Sequence, residues 1–173
     1  SADKKKSERD AVDVTPNGTN VRTRVHEYGG GAVTFGTTEI FFSDFATQQL
    51  CRLVDGTAKP ITPDDQRFRF ADGVYDETSQ TIYCVREDHA NPEPKNVVNE
   101  IASVGLNGGM KTIASGNDFY AAPRLSPNGS SKLAYVTWNH PNMPWDATAL
   151  YVTNIGAESS CLTSDHELIA GAD

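Results

Sequence analysis

The chain lacks the long apolar run that a membrane-spanning helix needs. No stretch of 18 apolar residues occurs in its 173 residues, and the N-terminus has none of the apolar core that marks a signal peptide. These two absences predict a soluble protein that has no membrane partner and carries no secretory leader.

Cysteine and histidine are scarce, and neither is grouped. The cysteines match no zinc or redox spacing, and their odd number argues against a closed disulfide framework; they are Cys51, Cys84 and Cys161. The four histidines include no His-x-x-x-His pair, which would be typical of a metal site on a helix. We therefore expect no metal, no cofactor and a reducing, cytoplasmic compartment.

Positive charge is in deficit. The chain carries 15 Lys and Arg against 23 Asp and Glu, for a formal net charge of −8. Nucleic-acid binding requires a basic face that neutralises phosphates. The cluster Lys4–Lys6 does not supply that face, because it lies in a polar tail that also carries Glu8 and Asp10. The sequence predicts no nucleic-acid partner.

A serine nucleophile motif is also absent. Acyl transfer by serine needs a hydroxyl on a strained strand-to-helix turn, which is written Gly-x-Ser-x-Gly, and that pattern does not occur. Several serines fall instead in turns or tails; they are Ser126, Ser130, Ser131, Ser159 and Ser160. We therefore assign no catalytic residue to this chain.

What the chain does contain is a repeat. A short closing strand ends each of three units, at residues 59–62, 111–114 and 160–163. Their equivalent apolar positions, Ile61, Ile113 and Leu162, recur after 52 and then 49 residues. A period near 40 to 50 residues is typical of four-stranded propeller blades, which must stack to bury both faces.

The second strands of the units follow the same rhythm. Residues 39–43, 81–85 and 133–137 are short segments rich in apolar, β-branched and aromatic residues, with turns rich in Asn, Asp and Gly around them. No window of 11 residues shows a helical apolar period. The fold class predicted is all-β: a partial β-propeller of about three four-stranded antiparallel blades, at residues 28–63, 68–115 and 119–164, after a polar N-terminal segment at residues 1–20.

Three segments resemble a known family. Residues 21–31 (VRTRVHEYGGG), 118–129 (DFYAAPRLSPNG) and 138–146 (WNHPNMPWD) are similar to the propeller of prolyl oligopeptidase family peptidases, in particular those related to acylaminoacyl peptidase and dipeptidyl peptidases. The resemblance spans roughly residues 21 to 170. It implies an N-terminal propeller that is followed, in the family, by an α/β-hydrolase domain with a serine, an aspartate and a histidine. This chain contains only the first part, so we expect a propeller truncated before the hydrolase domain.

The resemblance also implies a function. In the family, the propeller caps the hydrolase active site and admits short or unfolded peptides, and in some members acidic propeller residues bind the free amino terminus of the substrate. The chain is therefore expected to gate and orient peptide substrates for a hydrolase domain absent from it. The alternative is a non-catalytic binding scaffold from a truncated or alternatively spliced product.

Glu27 is the first candidate for the amino-terminus site, together with its neighbours Arg24 and Tyr28. A carboxylate that faces a partly dehydrated cavity pairs with an ammonium better than it does in water. The structural alternative is that Glu27 pairs with Arg22 or Arg24 to fix the first blade. The three glycines that follow, at residues 29–31, are expected to let the backbone pass close to a neighbouring strand.

Two further segments are candidates for substrate binding. The first is residues 86–94, expected to be a stiff charged loop that offers Glu87, Asp88 and His89, although a solvated connector fits equally. The second is residues 138–146, where Trp138, His140 and Trp145 lie. The two tryptophans either wall a peptide cavity or close the loop on its own blade.

A propeller of only three blades is expected to be marginally stable. Three blades leave two open faces, and exposed apolar surface costs about 25 cal/mol per Å² against a total stability of about 5–15 kcal/mol. We therefore expect the chain to self-associate or to be partly unfolded.

Overall fold

The computed structural model describes residues 12–91, 93–127, 131–155 and 166–171. These residues form twelve strands and one short 3-10 turn, Pro94–Asn96, without an α-helix. The strands are β1 (Val33–Phe35), β2 (Ile40–Ser43), β3 (Leu50–Val54), β4 (Thr57–Pro60), β5 (Phe68–Asp76), β6 (Thr81–Asp88), β7 (Val98–Gly105), β8 (Met110–Ser115), β9 (Phe119–Leu125), β10 (Lys132–Trp138), β11 (Ala149–Asn154) and β12 (His166–Gly171). The prediction of an all-β chain is confirmed.

The strands make three separate four-stranded sheets. Each sheet is antiparallel and follows chain order, β1 to β4, β5 to β8 and β9 to β12. The first strand of each sheet lies against the first strand of the next, so that β5 contacts both β1 and β9. This arrangement is the predicted set of three propeller blades. In the third blade the outermost strand is β12, whereas the closing strand predicted at residues 160–163, with Cys161, lies outside the described residues.

The core lies between the blades. Each sheet alternates its side chains between two faces, and each covered face packs against the next blade. The core between blades 1 and 2 contains Phe41, Leu50, Phe68, Phe70, Tyr75, Ile82, Cys84 and Val104. The core between blades 2 and 3 contains Val25, Ala71, Tyr83, Val85, Ile101, Ala114, Tyr120, Leu133 and Tyr135. Burial of one large apolar side chain is worth about 1.5–3 kcal/mol, so these contacts hold the blades together.

Glycines allow the inner part of the fold to pack closely. Gly31 donates its N–H to Asp72 Oδ1 at 2.6 Å and accepts the Asp72 N–H at 2.8 Å. A Cβ at Gly31 would lie 2.6 Å from that carboxylate oxygen. The backbone at Gly30 and Gly31 therefore passes directly against β5, as the sequence predicts.

A β-bulge interrupts β5 and recurs in β9. The register shifts between Ala71 and Val74 in blade 2, and it shifts opposite Ala134 and Val136 in blade 3. Asp72 and Ala122 occupy the bulges with φ of 52° and 51°. The bulge therefore marks the same position in the two blades and shows which of their residues are equivalent.

The prediction of a loop beginning at Arg86 is wrong. Arg86, Glu87 and Asp88 are the last residues of β6 and pair in register with both β5 and β7. Charged side chains are accommodated there because cross-strand partners satisfy them: Arg86, for example, donates to Glu100 of β7. The connector starts at His89, and Pro92 within it lies outside the described residues.

Among the described residues, no helix has the length and apolar character needed to cross a membrane.

Candidate functional site

Seven of the nine candidate residues meet at one end of blades 2 and 3. At this end β5 and β9 begin and β6 and β10 finish. Two positions before the bulge, blade 2 carries the cross-strand pair Arg69 and Glu87, and blade 3 carries Phe119 and Trp138. Equivalent positions of neighbouring blades therefore present a charged pair and an aromatic pair.

A tight turn before β1 lies over these two pairs. Its anchor is Val25, which is buried in the core between blades 2 and 3. His26, Glu27 and Gly29 then adopt positive φ values of 54°, 62° and 97°, and Gly29 donates its N–H to the Val25 carbonyl at 2.8 Å. Positive φ is costly for residues that carry a Cβ, and such residues cluster at functional sites.

The buried carboxylate of Glu87 fixes the turn. Its side chain is only 4% exposed. Oε1 accepts the backbone N–H of His26 at 2.6 Å, and Oε2 lies 2.9 Å from Nε2 of His89 and 3.9 Å from the Arg69 guanidinium. One buried carboxylate thus connects the strained turn, the start of the following connector and strand β5.

Arg69 connects this buried carboxylate with an exposed one. Its NH1 group donates to Glu27 Oε1 at 2.6 Å and to the Arg24 carbonyl at 3.1 Å. The Glu27 side chain is 79% exposed, whereas that of Arg69 is 17% exposed. Glu27 is therefore fixed at its base and open to solvent at its end.

Aromatic rings continue the site across blade 3. The ring centroids of Tyr28 and His26 are 5.8 Å apart, those of His26 and Phe119 5.7 Å, and those of Phe119 and His140 5.0 Å. Trp138 stacks on Phe119 at 5.2 Å and is 7% exposed. We call these five residues the aromatic row. Tyr28, at one end of the row, is 73% exposed.

The titration behaviour of the turn follows from its surroundings. The hydrogen bond from Arg69 lowers the pKa of Glu27, so this carboxylate is charged at neutral pH. Burial lowers the pKa of His26, against the opposing fields of Glu87 and Asp72, so this imidazole is neutral. The turn therefore presents the charged, exposed carboxylate of Glu27 beside the neutral ring of His26.

Two of the nine candidates are not among the contacts of this cluster, and the predicted partners of Glu27 are wrong. Asp88, at the end of β6, forms an ion pair with Arg67 at 3.3 Å, and Trp145 is 76% exposed. Glu27 pairs with Arg69 and not with either predicted arginine: the guanidinium groups of Arg22 and Arg24 lie over the Phe45 ring, at 5.0 and 4.4 Å from its centroid.

Sequence reasoning missed Arg69, Phe119 and the central place of His26. Arg69 lies 42 residues from Glu27, so no local pattern links the two. Aligning the first strands of the repeats would have placed Arg69 and Phe119 at equivalent positions. Within the described ranges, no three His, Cys, Asp or Glu residues are grouped in a way that could hold a metal ion.

No protein-family model and no curated protein sequence matches the chain. Among solved structures, a puromycin-hydrolysing peptidase of Mycobacterium tuberculosis is 29% identical, with a TM-score of 0.78 over 93% of this chain. A puromycin hydrolase is 27% identical with a TM-score of 0.78, and a mutant of puromycin hydrolase complexed with PGG is 26% identical with a TM-score of 0.79, each over 92% of this chain.

The matched region is a limited part of those proteins. The chain spans 27% of the length of each of the three structures. Together with the three blades, these similarities confirm the resemblance that the sequence motifs indicate. The chain is a propeller segment of the kind found in prolyl oligopeptidase family peptidases.

Proposed function

We propose that this chain gates and orients peptide substrates for a hydrolase domain that the present sequence does not include. The observation that carries the proposal is Glu27: a charged, exposed carboxylate, fixed by Arg69 on a strained turn at the end of two blades. A structural ion pair does not require such a turn. A carboxylate held in this way can bind the free amino terminus of a peptide.

The two carboxylate oxygens of Glu27 would have different roles. Oε1 accepts from Arg69, while Oε2 has no hydrogen-bond partner among the described residues. An incoming ammonium can therefore bind Oε2 without displacing Arg69. Because Arg69 holds the carboxylate in place, little side-chain freedom is lost on binding.

This arrangement favours one of the peptidase groups that the resemblance includes, the one that acts on free amino termini. An acylated peptide has no ammonium group and gains nothing from Glu27, whereas a peptide with a free amino terminus does. We therefore propose that the parent enzyme acts on free amino termini, as in aminopeptidases and dipeptidyl peptidases, and not on acylated ones.

Peptide titrations of the chain test the proposal. An isotope-labelled sample is titrated with a tripeptide and with its N-acetylated form, and binding is followed by amide chemical shifts. Exposed ion pairs contribute about 0.2–1 kcal/mol, so Glu27→Gln should weaken the free peptide by about 1.5- to 5-fold and leave the acetylated peptide unchanged.

Glu39→Gln is the matched control for this test. Glu39 also forms an ion pair with an arginine, Arg52, at 2.7 Å, but it lies in blade 1. We expect no effect of this variant on peptide binding. Equal binding of free and acetylated peptides, or equal losses in the two variants, would contradict the proposal.

The scaffold alternative is favoured by the absence of a Gly-x-Ser-x-Gly motif from the sequence. Adding the chain to a separately expressed family hydrolase domain distinguishes the two functions. A change in the domain's selectivity among aminoacyl nitroanilides supports gating, whereas unchanged selectivity supports a scaffold.

Self-association is a further proposal about partners. The face of blade 3 that points away from blade 2 carries the apolar residues Ala134, Val136, Leu150 and Val152, which pair in register, and Ile169 lies beside them. Apolar side chains at the corresponding positions of blade 2 are covered by blade 3. Sedimentation should show oligomers that Val152→Glu dissociates, and a monomer at all concentrations would refute the proposal.

A cytoplasmic location is also proposed. Cys51 and Cys84 are free and buried, which is compatible with a reducing compartment. Fractionation of cells that express the tagged full-length protein tests this.

A further inference from the structure

Blade 2 carries an apolar row on each of its two faces, and a neighbouring blade covers each row. A stacking row, as we use the term, is a set of four apolar residues, one from each strand, that pair in register across a sheet. On the side of blade 3 the stacking row is Ala71, Val85, Ile101 and Ala114. On the side of blade 1 it is Tyr75, Ile82, Val104 and Met110. These residues belong to the two interblade cores or pack against them, so the rows are the surfaces through which the blades stack.

Blade 3 repeats the first of these rows on the face that points away from blade 2. The bulge aligns Ala121 with Ala71, and the register of the sheet then gives the stacking row Ala121, Val136, Leu150 and Ala170. Its composition differs from that of the covered row in blade 2 only by leucine in place of isoleucine. The first three residues are half-buried and the fourth is exposed, whereas their counterparts in blade 2 are at most 5% exposed. Over the described ranges, blade 3 therefore presents a stacking surface on which no blade lies.

Blade 1 repeats the second row on the face that points away from blade 2. The register gives the stacking row Phe35, Ile40, Leu53 and Ala58. Ile40 and Phe41 are successive residues of β2, so they lie on opposite faces, and Phe41 faces blade 2. Phe35 pairs with Ile40 beside the hairpin turn, as Tyr75 pairs with Ile82 in blade 2. Tyr75 is 8% exposed because blade 1 covers it, whereas Phe35 is 70% exposed.

The two open faces are of opposite kinds. Terminal units of stacked repeat proteins usually have polar outer faces, and exposed apolar patches mark interaction sites. Blade 3 leaves open the kind of row that blade 2 turns towards blade 3, and blade 1 leaves open the kind that blade 2 turns towards blade 1. At both junctions within the chain, a face of the first kind packs against a face of the second kind. The open face of blade 3 therefore matches the open face of blade 1.

We infer that two copies of this chain associate head to tail, with blade 3 of each copy stacked on blade 1 of the other. The inference rests on the self-association proposed above and adds the face of the second copy that blade 3 meets. A contact between unlike faces forms a ring if its rotation closes and a filament if it does not. Propellers typically contain about four to eight blades. Two copies of three blades give six blades, which is within this range, so the closed pair is the expected assembly.

Charged substitutions on the two open faces test the inference by sedimentation velocity. Phe35→Glu changes the open face of blade 1, and Leu150→Glu changes that of blade 3. Each should raise the dissociation constant of the pair by at least about tenfold, because burial of one large apolar side chain is worth about that factor. Val98→Glu is the control: Val98 is 50% exposed, but it belongs to blade 2, whose two faces are already covered. We expect this variant to associate as the parent chain does.

An equimolar mixture of the two variants tests which faces meet. Each variant keeps one intact open face, and the two intact faces are of opposite kinds. The mixture should therefore form a 1:1 complex at concentrations where each variant alone is monomeric. A dimer that joins two identical faces cannot give this result, because one of the two substitutions would then leave the dimer unchanged.

The outcomes separate the inference from the self-association on which it rests. A dimer that Leu150→Glu dissociates and Phe35→Glu leaves intact would overturn the head-to-tail contact and keep self-association through blade 3. A parent chain that is monomeric at all concentrations would overturn both. Oligomers that grow beyond the dimer as the concentration rises would overturn the closed pair. All variants must retain the circular dichroism of the parent chain, and Ala170→Glu, at the exposed end of the same row, replaces Leu150→Glu if that variant unfolds.

Discussion

Replacing Gly73 with alanine should loosen the junction between blades 1 and 2. Gly73 lies in β5, and a Cβ built on it would overlap Thr34 Oγ1 of β1 and lie 3.2 Å from the Cγ2 atom of Ile82. Thr34 is buried, at 5% exposure, so its side chain has little room to move away. The added methyl group must therefore push the inner strands of two blades apart.

The expected cost follows from overpacking. An extra methyl group in a well-packed interior typically costs about 1–3 kcal/mol. For a chain of this length, each kcal/mol corresponds to a fall in Tm of about 2–4 °C. Gly73→Ala should therefore lower the melting temperature by about 2–12 °C, with a matching loss in urea denaturation.

A second substitution should relieve the overlap. Thr34→Ala removes the Oγ1 atom that the new Cβ meets, which leaves the Thr34 and Ile82 carbons near 3.2 Å as the closest neighbours. The double variant should regain about 1–3 kcal/mol relative to the sum of the single variants, because the two side chains compete for the same space. Unfolding is followed by urea titration of circular dichroism in all four proteins.

Gly109→Ala is the control for chain-wide effects of removing a glycine. It lies in the turn before β8, where a Cβ would meet only the Asn107 Oδ1 atom, at 3.3 Å. We expect a change of less than about 1 kcal/mol. Strict additivity of Thr34→Ala and Gly73→Ala would refute the reasoning, because it would mean that the two positions do not share one space.

Three further predictions follow from buried groups. Arg86→Met should cost about 3–5 kcal/mol in urea denaturation because it removes the ionic partner of the buried Glu100, which then keeps the hydrogen bond from Thr112, and combining it with Glu100→Leu should restore most of the loss; additive losses would contradict this. The pKa of His26 is lowered in the folded chain, so the stability that this group contributes is present above its unfolded pKa of about 6.5 and falls as the pH drops below that value. His26→Phe should therefore reduce the change in the urea midpoint between pH 7.5 and 5.5, and an unchanged pH profile would count against this assignment. Burial raises the pKa of Cys51 to about 11 and that of Cys84 to about 12, so both should resist thiol reagents at pH 8 until the chain unfolds, as site-resolved mass spectrometry can show; rapid labelling of the folded chain would disprove this.

The architecture was predictable from the sequence because it is periodic. Ile61 and Ile113 mark a spacing that only stacked small sheets explain, and the strands predicted around residues 39–43, 81–85 and 133–137 are β2, β6 and β10. The turn chemistry is local, so Asn, Asp and Gly mark most of the hairpins. Fold class and the resemblance therefore required no long-range contact.

The site was only partly predictable because its key pairings are non-local. Glu87 was expected in a loop because its segment is rich in acids and prolines. His89, one of the groups that satisfy it, is two residues away, but the His26 N–H and the Arg69 guanidinium come from distant parts of the chain. Glu27 was likewise expected to pair with an arginine close to it in the sequence, Arg22 or Arg24. The carboxylate network depends on how two blades and the preceding turn meet, and no short window of sequence contains that information.

The repeated bulge marks the same place in blades 2 and 3. Two positions before it, each of these blades carries one cross-strand pair that lies at the site. In blade 2 this pair is ionic, and in blade 3 it is aromatic, although the surrounding strands follow the same plan. The chemistry at this end of the propeller can therefore be changed by substituting two side chains in one blade. Substituting these pairs alone is a way to change what the site recognises while the interblade cores stay intact.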